Sequence, residues 1–287
     1  MSEELLSRWA TYAFAAGVGF GILLLVAEGW WPRVQQRFAL GRRWLANLGV
    51  YSATGIVLWL LSPLSLLGAA LLASQRGWGL FNWVSAPDVV AVAVSWLVLD
   101  LVLYLEHRLK HGIPLLWRIH RLHHSDPDVD VTTTLRFHPF EVLLRAAVRV
   151  LVATAIGMPP IAAVGYSLFM TAVSFLSHAN IRQPGSVWRA IGLVVSTPDF
   201  HRTHHSVDRN DCDSNFGLML PCWDRLFGTY RSAPALGHEN VRFGVEGLTA
   251  QDGTSILKML ADPFVPERVN GSPPPPITTA ASADQRP

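Results

Sequence analysis

The segment His107–Asp126, HRLKHGIPLLWRIHRLHHSD, carries five of the chain's 11 histidines in twenty positions. It starts where a long apolar run ends, VVAVAVSWLVLDLVLYLEHR at 89–108. A helix through this junction puts His107 and His111 on one face, because residues four apart are neighbours on a helix surface. Stepping back by helical intervals brings Tyr104 and then Asp100 onto the same face. The segment closes with H-x-x-H-H, His120, His123 and His124, and the motif returns as His201, His204 and His205 in STPDFHRTHHS. Positions i, i+3 and i+4 point to one side, so each copy presents three imidazoles to one region of space. The second copy has a helix-start signal: Thr197 as N-cap, Pro198 in the first turn and Asp199 beside it. Histidines also stand alone at 138, in RFHPFE, at 178, in SHANI, and at 238, outside any pattern.

The rest of the chain points to a membrane. Only 15% of its 287 residues are charged, half are hydrophobic, and mean hydropathy is +0.28, which is unlike an ordinary soluble protein. Eleven tryptophans fit rings at lipid interfaces. A net charge of +2 argues against a nucleic-acid partner. Cys212 and Cys222 have no zinc-ligand spacing and read as ordinary thiols. The start, MSEELLSRWA, lacks the basic region of a cleavable signal.

Nineteen uncharged residues between Arg8 and Glu28 suffice to cross about 30 Å of hydrocarbon. A second uncharged run, Trp44 to Gln75, is interrupted by Pro63 and is expected to be kinked or partly interfacial. The run containing Asp100 is the third. A fourth apolar region, 141–177, is broken by GMPP at 157–160 and reads as a membrane hairpin whose ends share one side, with Arg145 and Arg149 snorkelling. Arg33, Arg37, Arg42 and Arg43 place the first loop in the cytoplasm by the positive-inside bias, the N-terminus outside, and His107 on the cytoplasmic side. The expectation is an all-α, multi-pass integral membrane protein with a cytoplasmic helical cap that carries a histidine-rich dimetal site. Its divisions are N-terminal membrane helices at 1–106, a histidine-box region at 107–266 including the hairpin, and a disordered Pro- and Ala-rich tail at 267–287.

Clustered neutral imidazoles gain nothing special from one another, and protonated ones repel; a bound cation gives each lone pair a partner. Nine histidines (107, 111, 120, 123, 124, 178, 201, 204 and 205) are too many for one ion and suit two, with His138 a tenth candidate. The Glu-x-x-His pairs of carboxylate di-iron bundles are absent. From the residues alone, a redox-inert zinc pair and an oxygen-activating iron pair both stand, as do a structural metal site and, lower, a metal transporter. Asp100, Tyr104, Asn180 and Asp199 are candidates to orient the ligands, Asp100 because a carboxylate in an apolar run needs a reason to be there.

These pieces, DLVLYLEHRLKH, LWRIHRLHHSD, RFHPFE, SHANI and STPDFHRTHHS, with NFGLMLPCWDRLFGTY downstream, resemble the fatty acid hydroxylase / sterol desaturase superfamily of membrane di-iron oxygenases. The match runs from Asp100 to Tyr230, and His178 aligns with a further family histidine. The resemblance implies two iron ions, O2 as cosubstrate, electrons from an external electron-transfer protein, and attack on an unactivated C–H bond of a lipid. Hydroxylation is the leading expectation and desaturation the close variant. No haem- or flavin-binding stretch is evident, which agrees with a separate donor.

Overall fold

Pro114 settles how the central element ends. The residue before a proline is pushed out of the α region, and Ile113 is extended, at φ −104° and ψ 116°. The chain therefore leaves the helix Asp88–Gly112 (α5) and restarts at once as Pro114–His124 (α6), with proline in the first turn. The computed structural model describes residues 2–265 and is built almost wholly of helices: α1 Glu3–Trp30, α2 Leu40–Leu60, α3 Leu66–Arg76, the single turn α4 Leu80–Trp83, α5, α6, α7 Pro139–Ile156, α8 Pro160–His178, α9 Gly185–Val194 and α10 Pro198–His204. Shorter pieces follow: α11 Arg209–Cys212, α12 Cys222–Phe227 and α13 Ile256–Ala261. The tail expected at 267–287 lies outside the described residues. The division expected at residue 106 falls within α5, which is one continuous helix.

Among the described residues three helices, α1, α5 and α8, are long and apolar enough to cross a membrane. The second apolar run is not a single span. It breaks at Pro63, which lacks the N–H to continue a helix: α2 stops at Leu60, and Ser65 Oγ caps a new start by accepting from Gly68 N at 3.1 Å. The hairpin is present as α7 and α8, turning at Gly157 (φ 63°). α1 lies parallel to α8. A Cβ added at Gly17 would meet Thr171 at 2.7 Å, and one at Gly21 would meet the Phe175 ring at 3.1 Å, so the contact needs these small residues. Leu99, Leu103, Ala163, Tyr166, Met170 and Met219 form the main core between α5, α7, α8 and the segment before α12.

The C-terminal ends of α1, α5 and α8 meet at one face, and the polar cap covers it. At that face Glu28 Oε1 of α1 accepts from Val131 N at 2.9 Å and Asn180 N at 2.6 Å, joining α1 to the cap and to the end of α8. A buried network holds α2 against the loop that follows the first H-x-x-H-H. Arg43, 0% exposed, donates from Nε to Asp126 at 2.8 Å, from Nη1 to Asp130 at 3.0 Å and from Nη2 to the Asp128 carbonyl at 2.6 Å. Arg136 completes it with Asn47 at 2.7 Å and Ser125 at 2.6 Å. Removing one partner leaves a buried charge uncompensated, which costs roughly 3–5 kcal/mol. Arg43→Ala is therefore expected to lower the thermal midpoint of detergent-solubilised protein well beyond an exposed control such as Arg8→Ala.

Candidate metal centre

Helix geometry sorts the nine histidines into two buried groups. His107, His111, His120, His124 and His204 form one, and His123, His178, His201 and His205 the other; within each, one nitrogen per residue lies within 4.8 Å of all the rest. Each H-x-x-H-H straddles both. Successive helix positions are rotated by about 100°, so the i, i+4 pair His120 and His124 faces the first group while His123 turns to the second. In α10 the split is reversed: His201 and His205 face the second group and His204 the first. The imidazoles of His124 and His205 stack at 4.5 Å between centroids and join the two groups.

The hydrogen-bond partners of the outer nitrogens set the inner ones. A carbonyl or carboxylate can only accept, so an imidazole nitrogen facing one must carry the proton. His107 Nδ1 donates to the Phe216 carbonyl at 2.8 Å, and His120 Nδ1 to Glu141 Oε1 at 2.8 Å. Their Nε2 atoms are then bare lone pairs, yet they face each other at 3.1 Å. In the second group His123 Nδ1 donates to the Arg136 carbonyl at 3.2 Å and His178 Nδ1 to the Ser174 carbonyl at 2.7 Å, while their Nε2 atoms sit 3.2 Å apart. His204 Nδ1 donates to the Ser214 carbonyl at 2.8 Å, and its Nε2 is buried without a partner, as is His111 Nε2. Lone pairs converging at this distance require a cation between them. A proton is disfavoured: burial first, and then the neighbouring imidazoles, hold His123, His124, His201 and His205 well below the usual imidazole range. Neutral imidazole is the form that binds metals. The residues thus fit two metal ions.

The groups that orient the ligands differ from those expected. Glu141, completely buried, accepts from His120, from Lys110 Nζ at 2.9 Å and from Arg145 Nη2 at 3.1 Å. Asp213 Oδ1 lies 3.2 Å from His111 Nδ1, and Cys212 Sγ stands 3.7 Å from His124 Nδ1 and 3.9 Å from His111 Nδ1. Backbone carbonyls serve His107, His123, His178 and His204, whereas Nδ1 of His201 and of His205 is buried without a partner among the described residues. No short motif marks such partners. The one available signal was a glutamate three positions after His138 at the start of an apolar helix. Glu141→Gln keeps the size of the side chain but removes the charge facing His120. Partners of this kind are typically worth about 10–100-fold in metal affinity or activity, and a chelator titration of the purified variant should show a loss in that range.

The four expected orienting residues form no hydrogen bond or ion pair with a histidine of either group. Asp100 Oδ2 accepts from Trp223 Nε1 at 2.8 Å, which answers the need of a carboxylate in an apolar run without the metal site. The Tyr104 hydroxyl lies 2.9 Å from Thr229 Oγ1, and its ring stacks on Phe227 at 5.5 Å. Asn180 bridges to Val34 through its side chain, accepting from Val34 N at 3.1 Å and donating to Val34 O at 2.8 Å. Asp199 pairs with Arg33 at 3.1 Å. All four tie neighbouring elements together: Asp100 and Tyr104 share a helical face with His107, but later segments of chain meet them there, and Asn180 and Asp199 are taken by the stretch that follows α1. His138 belongs to neither group. It is the N-cap of α7, accepting from Phe140 N at 3.1 Å through Nδ1, with Nε2 donating to the Leu260 carbonyl at 3.2 Å. Cys212 and Cys222 are free thiols, as expected.

Residues 92–229 match the sequence model of the fatty acid hydroxylase family. The chain is 30% identical over 178 residues to ornithine lipid hydroxylase OlsE of Rhizobium tropici, covering 62% of this chain and 51% of that protein. Alkylglycerol monooxygenase of Homo sapiens is 28% identical over 152 residues, 53% of this chain and 32% of that one. A very-long-chain aldehyde decarbonylase of Oryza sativa subsp. japonica is 28% identical over 158 residues, 51% and 24%. The chain thus spans about half the length or less of these relatives. No solved structure matches. All nine converging histidines fall within residues 92–229, the segment that matches the fatty acid hydroxylase family.

Proposed function

We propose that this chain is a membrane oxygenase that hydroxylates a C–H bond of a lipid, with one iron held by each histidine group. The facing lone pairs, fixed by the hydrogen bonds behind them, carry this reading. The relatives, named for lipid hydroxylation and alkylglycerol monooxygenation, support the chemistry. The bound irons supply the reactivity toward O2 and the C–H bond. The chain supplies the rest. Glu141 and the carbonyls of Phe216, Ser214, Arg136 and Ser174 orient the imidazoles. Burial of all nine keeps bulk water from the reacting atoms. The balance, one oxygen atom to the lipid and the other to water, needs two electrons and two protons, and the electrons come from an external electron-transfer protein. Desaturation draws on the same oxygen and electrons and is the variant reading. The test is comparison of lipid extracts from cells making the wild type and His201→Ala at equal protein level: one species should gain an oxygen atom only with the wild type, only in air. Identical extracts would leave a structural metal site as the better account.

The orientation belongs to the same reading. The basic stretch Arg33–Arg43 and the basic surroundings of His107 lie at the face where α1, α5 and α8 end, which the positive-inside bias assigns to the cytoplasm. With Cys222 replaced by serine, Ser2→Cys should label from outside intact cells, and Leu236→Cys, in the exposed cap, only after permeabilisation. Labelling of both from outside would reverse the assignment.

A further inference from the structure

A small cavity of about 40 Å³ touches both histidine groups. His107, His120, His123, His178 and His201 form its wall on one side, and Arg149 of α7 lines it too. An arginine inside an apolar helical hairpin is costly and marks a function unless it is paired. Its neighbour Arg145 is paired: it donates to Glu141 and lies over the Phe137 ring at 4.5 Å. The expected snorkelling of these two residues does not occur; both face the cavity. Arg149 has no hydrogen bond or ion pair among the described residues, and its Nε is shut off from solvent. The charges here do not cancel. Lys110 bridges Glu106 at 3.1 Å and Glu141 at 2.9 Å, and Arg145 adds a third cation to the cluster. Three cations therefore face two carboxylates, and Arg149 is the one without a partner. Nearby, the hydroxyl of Tyr166, a residue 1% exposed, also lacks a partner.

We infer that Arg149 is a substrate-positioning residue that binds a carboxylate carried by the lipid, so that the carbon oxidised lies a few bonds from that carboxylate. The inference rests on the oxygenase reading above. Guanidinium and carboxylate match in geometry and charge, and the fork of donors can hold both oxygens. The size of the cavity selects within anionic groups. A compact carboxylate enters so small a space more readily than a phosphodiester with its substituents. Because Arg149 and five metal-site imidazoles line one cavity, an anchored carboxylate brings its own neighbouring carbons, not the far end of the chain, to the histidines.

The experiment uses full-length, iron-loaded protein in nanodiscs, kept anaerobic so that binding is read without turnover. The probes are palmitate, N-palmitoylglycine and methyl palmitate. One of the two acids should bind at least about tenfold tighter than the neutral ester. A preference for palmitate places the carboxylate on the acyl chain, and a preference for N-palmitoylglycine places it on a headgroup. Arg149→Met should erase the preference with ester binding and iron content unchanged. Arg149→Lys, which keeps the charge but loses the fork, should retain part of it and raise KM more than it lowers kcat on readmission of air. The product's hydroxyl should map close to the carboxylate by fragmentation. Equal binding of acids and ester by the wild type would overturn the inference, whatever the variants do. So would Arg149→Met losing iron or stability while keeping the preference, the mark of a counter-ion to Glu106. A wild type that distinguishes the probes yet never oxidises them removes the oxygenase reading and leaves the carboxylate site standing.

Discussion

Protein purified anaerobically with iron is expected to carry about two ions per chain, and His201→Ala to lose about one of them together with all measurable lipid oxidation. The two groups are unequal, with five histidines and four. Removing His201 leaves three imidazoles at the smaller group, and the remaining Nε2 pair, His123 and His178 at 3.2 Å, must hold the ion with one fewer donor. Removing His111 from the larger group leaves four. His201→Ala should therefore cost more metal than His111→Ala, and His120→Ala more than either single change suggests. His120 Nε2 faces both His107 at 3.1 Å and His124 at 3.2 Å, and its loss also strands Glu141 with one donor fewer. A loss of activity above about 100-fold in each case would exceed what outer partners contribute. Elemental analysis and Mössbauer spectra of iron-57 protein read the count and the coupling directly. A full complement retained by His201→Ala and His120→Ala alike would mean that the imidazoles only line a cavity.

Labelled oxygen gas divides hydroxylation from desaturation. A hydroxylated lipid acquires its new oxygen from O2 and should carry the label, whereas a desaturated lipid loses two hydrogens and carries none. The label is expected in the product, at close to the enrichment of the gas, and it should vanish in His201→Ala and in the absence of a reductant. An unlabelled, unsaturated product formed only with the wild type would establish the desaturase variant, with the same metal centre.

Most of this centre was legible along the chain, for a reason specific to histidine-rich sites. The ligands come in pairs and triplets one helical turn apart, so His107/His111, His120/His123/His124 and His201/His204/His205 declare both their helices and their shared faces. The expectation that the hairpin returns His178 to the side of His107 also agrees with the structure: α7 leaves that side, α8 comes back to it, and His107 and His178 line one cavity. Asp100 shows the limit of the same method. It lies on the correct face of α5, yet Trp223, more than a hundred residues later, packs against it first. A helical wheel shows which residues point one way; it does not show what arrives to meet them.

The sequence by itself determined the class of the protein and its nine candidate ligands, because hydropathy over a span and spacing along a helix are local properties. The break at Pro63 belongs to the same category. Only the tertiary structure decided how the nine divide into five and four, which nitrogen of each ring faces inward, and that Glu141, Asp213 and four backbone carbonyls stand behind them. It also turned Arg149 from a presumed snorkelling residue into the unpaired cation beside both groups. Each of these depends on contacts between residues distant in the chain, fixed by packing α5, α6, α8 and α10 around one volume. Local spacing carries no record of that packing.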